Sequence, residues 1–191
     1  MKNITSTTKQ SVRDYWQTQG WFVKQIEEIA KVEFILDPCA SESNKKTSLY
    51  IDENDNGLEV DWLRYIMTLG DGSVLGAVFV NPPFSQMDKW IDKIILESNR
   101  GLRVFMLHPD TSDTAWYQKI EKHCTYQLVP RSRLNYIDPE TGKPRNGVNF
   151  QSCVSVFTGV HLPSPPRIRF DLEKPIRRVK NKSRIRVRRK K

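Results

Sequence analysis

The chain has 191 residues, 38% hydrophobic and 10% aromatic, which suits one soluble folded domain with a full core. No stretch approaches the ~20 apolar residues that cross a bilayer, and the opening MKNITSTTKQSVRD lacks the apolar run of a secretory signal. A cytoplasmic protein without membrane contact is expected. The net charge of +9 is uneven: residues 174–191, KPIRRVKNKSRIRVRRKK, hold 11 Lys and Arg and no acid. Residues 1–173 therefore keep 20 basic against 22 acidic residues, a net of −2.

The tail, with Arg177, Arg178, Arg184, Arg186, Arg188 and Arg189, matches phosphates better than an anionic membrane, because it has no aromatic face. A disordered tail that only aids solubility is the alternative. Three cysteines, Cys39, Cys124 and Cys153, lack any CxxC spacing and read as free thiols. His108, His123 and His161 form no ligand-spaced pair, so no metal site is expected.

In chain order, residues 12–30 predict a helical region interrupted near Gly20, with Phe22, Ile26 and Ile29 at helical spacing. KVEFILDP predicts a short buried strand ending at Asp37 and Pro38, and SLYI a second strand. A short helix follows EVDW. VLGAVFV, residues 74–80, is continuously apolar, as in a strand covered on both faces. QMDKWIDKIILES places Met87, Trp90, Ile91, Ile94 and Ile95 on one helical face. LRVFMLH predicts another strand, and SDTAWYQKIEKH a helix capped by Ser112 or Asp113. RSRLNYI and SCVSVFTG read as strands separated by the long polar connection DPETGKPRNG. The pattern predicts an α/β fold with a mainly parallel sheet and an antiparallel edge hairpin.

In such sheets ligands bind beyond the carboxyl ends of the strands, where Asp37-Pro38-Cys39-Ala40 and Asn81-Pro82-Pro83-Phe84 fall. Pro82 and Pro83 cannot donate a ladder hydrogen bond, so they end the strand. An amino nitrogen conjugated to a ring is a poor nucleophile. The Asn81 side-chain oxygen and a rigid Pro82 carbonyl can together accept hydrogen bonds from both of its N–H groups and draw it toward tetrahedral geometry. Phe84 can stack on a base swung out of its helix. A simple turn is the alternative for the tetrapeptide alone.

NPPF matches the (Asn/Asp/Ser)-Pro-Pro-(Tyr/Phe) signature of amino-methyltransferases. FILDPCAS with Asn44, DNGLEVDW, VNPPFSQMDKW, MLHPDTSDTAWY, RSRLNY and SCVSVF follow in the order seen in the compact phage-type DNA N6-adenine methyltransferases of the Dam family, which residues 15–158 resemble. The resemblance implies a Rossmann-like S-adenosylmethionine-dependent methyltransferase fold over residues 1–173, without a metal, acting on double-stranded DNA. A phage origin would place it in the host cytoplasm.

It further implies cofactor roles for Asp37, Pro38, Cys39, Ala40 and Asn44, for Asp61 near the cofactor adenine, and for Trp16 and Thr18 of YWQTQGW. Turn, capping and surface roles are the alternatives for Asp37, Asn44 and Asp61. The chain departs from the pattern twice: no glycine follows Asp37, and Gln19 stands where a proline is expected. Asp110, Thr111 and Ser112 are candidates for the target pocket, or simply helix caps. Arg131, Arg133, Lys143, Arg145, Asn146 and Asn149 are the candidate recognition element, since Arg and Asn read guanine and adenine edges. A solvated loop is the alternative. Other substrates stay open: RNA adenine, cytosine N4 or a glutamine amide. A non-catalytic nucleic-acid binder is a different class, favoured by the missing glycine and opposed by the intact NPPF.

Overall fold

A computed structural model describes residues 14–70, 75–145 and 148–173. The basic tail from 174, with its six named arginines, and Asn146 lie outside the described residues. The strands are β1 (Phe34–Asp37), β2 (Leu49–Tyr50), β3 (Ala77–Val80), β4 (Val104–Pro109), β5 (Tyr126–Pro130), β6 (Ser152–Phe157) and β7 (Arg167–Phe170). The helices are α1 (Gly20–Ala30), α2 (Trp62–Leu69), α3 (Met87–Asn99) and α4 (Ala115–His123).

The strands form one sheet in the order β2-β1-β3-β4-β6-β5-β7. Parallel pairing joins β1 to β2 and β3, β3 to β4, and β5 to β7, while β6 runs against both neighbours. Every strand except β6 therefore ends at the same edge of the sheet.

The two-residue period of β3 sets the layers. Val78 and Val80 face a core with Leu36, Trp90, Ile91, Ile94, Val104 and Met106; Ala77 and Phe79 face another with Phe22, Ile26, Phe34, Phe105 and Leu107. All four β3 residues are buried, as a doubly covered strand requires. On α3, Met87, Trp90, Ile91 and Ile94 are buried as their spacing predicts, with Ile95 partly covered.

Several expectations need correction. The antiparallel partners of β6 are β4 and Tyr126–Pro130, the latter disguised by the polar Gln127, and RSRLNYI forms no strand. The antiparallel pairing lies inside the sheet, whose edges are β2 and β7. Residues 14–19 are not helical: helix begins only at Gly20, and Ile29 in its last turn is 37% exposed. The cap of α4 is Thr114, not Ser112 or Asp113; its hydroxyl accepts from Tyr117 N at 3.3 Å and donates to Thr111 O at 2.9 Å.

DPETGKPRNG is not a long open connection over its described residues. The Asp138 carboxylate accepts from Glu140 N and Thr141 N, Gly142 takes φ 63°, and Arg145 N bonds Tyr136 O at 2.7 Å. An Asx-type turn thus folds the segment back on itself.

Candidate active site

A cleft of about 1290 Å³ opens beyond the ends of β1 and β3. The chain steps from β1 to β2 on one side and then returns to β3 on the other, so this crevice is the topological switch point of the sheet. Trp16, Thr18, Asp37, Pro38, Cys39, Ala40, Asn44, Asn81 and Pro83 all line it. Seven of the cofactor candidates and two residues of NPPF, Asn81 and Pro83, thus meet in one place. Pro82, which is buried, and the half-buried Phe84 are not among the residues that line it.

Asp37 ends β1 and is only 4% exposed. Burial pushes its carboxyl up to about 6, against the pull of the Lys46 and Cys39 amides and the Lys46 charge. Those amides donate to its oxygens at 3.1 and 3.4 Å. Cys39 beside it is held well above the usual thiol range by burial and then by the Asp37 charge, so it stays a neutral thiol. Asn44 accepts from Ser41 N at 2.7 Å and shapes the loop that carries this wall.

The absent glycine after Asp37 has a structural counterpart. Gly57, from the loop after β2, presses on this loop so tightly that a Cβ would lie 2.0 Å from Pro38 O and 3.1 Å from the Trp90 ring. Gly57 O accepts from Trp62 Nε1 at 2.7 Å, which fastens the second loop to α2. Close packing at the cleft wall is therefore supplied by a glycine from a different loop.

Asn81, just past β3, donates Nδ2–H to Trp16 O at 3.2 Å. Its Oδ1 is buried without a partner, as are Trp16 Nε1 and Thr18 Oγ1. Unpaired buried polar atoms are costly and uncommon, so three of them at one cleft mark a place made for a polar ligand. Pro83 is extended (φ −61°, ψ 131°), and its carbonyl accepts from Gln86 N at 3.0 Å as the chain turns into α3.

An aromatic cluster borders Asn81. Phe150 stacks on Trp16 at 6.2 Å, and Phe84 meets Phe150 edge-on at 5.8 Å. Tyr136 completes it, 5.8 Å from Trp16 and hydrogen-bonded to Ser152 at 3.0 Å. Gln19 contributes its own bond in place of the expected proline's rigidity: its amide donates to Asn135 O and accepts from Trp21 Nε1 at 2.9 Å.

Other candidates fall elsewhere. Asp61 does not line the cleft; it caps α2 through Arg64 N at 2.9 Å and pairs with Arg100 at 2.7 Å, which holds its carboxyl below the usual range. Asp110 is also outside, bound by Tyr117 OH at 2.8 Å and Arg167 at 2.6 Å. Thr111 keeps a buried, unpartnered hydroxyl beside it, and Ser112 is exposed.

Arg131, Arg133, Lys143 and Asn149 are exposed on the segment after β5. Arg131 is 3.8 Å from Asp171, and Arg133 donates to Val148 O at 3.2 Å. Arg145 is half-buried, paired with Asp138 at 3.0 Å and 5.3 Å over the Trp16 ring. Among the described residues no three His, Cys, Asp or Glu side chains converge as a metal site would require. Among them, too, no helix is long and apolar enough to cross a membrane.

The family profile described as DNA N-6-adenine-methyltransferase (Dam) matches residues 5–174. The chain belongs to this family. A DNA N-6-adenine-methyltransferase of Haemophilus phage HP1 (strain HP1c1) is 29% identical over 156 residues, covering 80% of this chain and 83% of the relative. Another, of Escherichia phage T1, is 27% identical over 167 residues, 80% of this chain and 66% of the relative.

Within the family frame, a number of cleft or border residues escaped the sequence reading, and five of them bear on the site: Asp14, Asp52, Gly57, Trp90 and Phe150. Of these, Asp52 alone had a usable signal, a carboxylate directly after the predicted strand SLYI. The other four depend on contacts between distant segments.

Proposed function

We propose that the chain methylates the N6 amino group of adenine in double-stranded DNA, with the cleft holding S-adenosylmethionine and the flipped base side by side. The observation that carries the site assignment is the buried, unpartnered Asn81 Oδ1 beside a cleft that also contains Asp37. A volume of about 1290 Å³ exceeds the roughly 300–1,000 Å³ of ordinary ligand pockets, which leaves room for both molecules. The sheet order with its single reversed strand supports the finer reading of a Rossmann-like methyltransferase fold.

The residues fit the cofactor by chemistry. Asp37, when ionised, suits the ammonium of the methionine part, and Asp52 suits ribose hydroxyls. Pro38, Cys39, Ala40 and Trp90 offer apolar walls, while Trp16 and Thr18 carry unpaired polar atoms toward the same cleft. Bound there, S-adenosylmethionine supplies an electrophilic methyl group on its sulfonium.

The chain's own contribution is orientation. Asn81 Oδ1 accepts a hydrogen bond from one N6–H and the Pro82 carbonyl from the other, so the nitrogen pyramidalises and its lone pair becomes available. Asn81 has no basic group, and the surplus N6 proton leaves to water after transfer. Phe84, supported edge-on by Phe150, stacks on the extruded base. Arg131, Arg133, Lys143 and Asn149 suit DNA contact, and the basic tail suits phosphates. A host-cytoplasmic setting accords with these roles.

The test is nucleoside analysis after incubation with isotopically labelled S-adenosylmethionine and either unmethylated double-stranded DNA or RNA. Labelled N6-methyladenine from DNA is expected. Label in N4-methylcytosine or in RNA would overturn the substrate assignment. Cofactor binding without transfer to any nucleic acid would favour a binding module.

A further inference from the structure

The segment Asp14–Thr18 runs along the cleft as a strap, tied at Asp14 to the chain just past NPPF and at Gln17 to the segment after β5. The Asp14 carboxylate accepts from Ser85 N at 3.0 Å, just past NPPF. Gln17 exchanges two backbone hydrogen bonds with Ile137, at 3.1 and 2.8 Å. Ile137 in turn pairs with Pro144, and Arg145, the next residue, sets its guanidinium 5.3 Å over the Trp16 ring. Asp138 holds that guanidinium at 3.0 Å. The strap and the 136–145 turn are therefore one packed unit.

Between these ties, Trp16 presents its main-chain carbonyl to Asn81 Nδ2 at 3.2 Å. A carbonyl accepts and never donates, so this contact dictates which end of the Asn81 amide faces which way. The NH₂ must face Trp16, leaving Oδ1 as the acceptor on the other side. A flipped amide would present donors to a target that is itself a donor.

We propose that Arg145 is a positioning residue for Asn81, fixing the orientation of its amide through Trp16. This rests on the reading of Asn81 as acceptor from the target amino group. It also removes Arg145 from the set of side chains available to read base edges. The guanidinium is already engaged by Asp138 and Trp16, which leaves Arg131, Arg133, Lys143 and Asn149 of the described segment for that task.

The test uses full-length wild type, Arg145→Met, Arg145→Lys, Asn81→Ser, Asn81→Ala and the Asn81→Ser/Arg145→Met double variant. Single-turnover transfer to unmethylated duplex DNA is measured at saturating DNA and cofactor, with melting curves to establish folding. Arg145→Met should slow transfer about tenfold in the Asn81 protein, less than the roughly 10²-fold that a full 1 Å misplacement costs. In the Asn81→Ser background the same change should cost less than about twofold, because a hydroxyl rotates to suit its partner without a guide. Arg145→Lys should recover part of the rate.

An activity-independent readout is the side-chain amide NMR signal of Asn81, assigned by its disappearance in Asn81→Ser. Arg145→Met should speed its solvent exchange. Equal losses in both backgrounds, or an unchanged rate and amide signal, would overturn the positioning role and leave the site reading intact. Full activity of Asn81→Ala would instead overturn the site reading itself.

Discussion

Gly57 and Pro38 touch across the cleft wall: a Cβ at position 57 would lie 2.0 Å from the Pro38 carbonyl oxygen. Neither backbone can retreat cheaply, since Asp37 O accepts from Ile51 N at 3.0 Å and Gly57 O binds the Trp62 indole at 2.7 Å. Gly57→Ala should therefore push the two loops apart, costing about 1–3 kcal/mol of stability as overpacking does. Cofactor affinity should fall at least several-fold in a fluorescence titration. Retention of wild-type melting and binding would show that the wall tolerates the extra methyl.

Asp37 makes two opposite pH predictions. Its folded pKa of about 6 exceeds the unfolded 3.8, so the free protein binds more protons than the unfolded chain between those values. Its contribution to stability is complete below about pH 3.8 and is lost as pH rises through about 6, on the order of 3 kcal/mol in all. Cofactor affinity should move the other way, strengthening from pH 5 to 7 as the carboxylate ionises to meet the ammonium. Calorimetry near pH 6 should detect proton release on binding, and Asp37→Asn should abolish both the release and the pH dependence.

His108 acts in the reverse sense. Its Nδ1 faces Pro109 O at 2.8 Å, so that nitrogen carries the proton; Nε2 then accepts from Ser155 Oγ at 2.8 Å. Burial lowers its pKa to about 4, below the 6.5 of the unfolded state. Stability from this group is full above about pH 6.5 and lost as pH falls toward 4. His108→Gln should flatten that limb in urea titrations run between pH 4 and 7, at the cost of a lower overall midpoint. An unchanged slope would assign the acid sensitivity elsewhere.

Much of this was legible from residue order. Val78 and Val80 alternate with Ala77 and Phe79, and the apolar run before NPPF announced a doubly covered strand. Asp37 and Asn81 share a cleft because parallel strands end together, a rule that needs no coordinates. The failures are equally specific. Tyr126–Pro130 was overlooked because buried Gln127 gains its partners from Arg167 and Ser155, residues distant in sequence. Asp61 resembled a cofactor residue, yet its position after a turn and before Trp62 made it a helix cap. The strap contacts of Asp14 and Trp16 depend on segments more than 60 residues away and leave no local pattern.

The basic tail makes a prediction that involves no side-chain geometry. A chain ending at residue 173 loses 11 Lys and Arg. Its DNA affinity should fall, and the slope of log K against log salt should shrink by about 0.9 for each phosphate contact removed. Transfer at low salt and saturating DNA should persist, since the cleft lies within residues 14–96. An unchanged salt slope would assign the tail a role other than phosphate binding.

The central claim is that Asn81 acts on the target nitrogen and not on the cofactor. The most direct measurement is a paired one on Asn81→Ala: cofactor affinity by tryptophan fluorescence, and methyl transfer to unmethylated duplex DNA. Affinity within about threefold of wild type is expected, with transfer reduced by about 10²–10³, the usual cost of one lost electrostatic partner. Transfer at the wild-type rate, or loss of transfer fully explained by loss of cofactor, would contradict it.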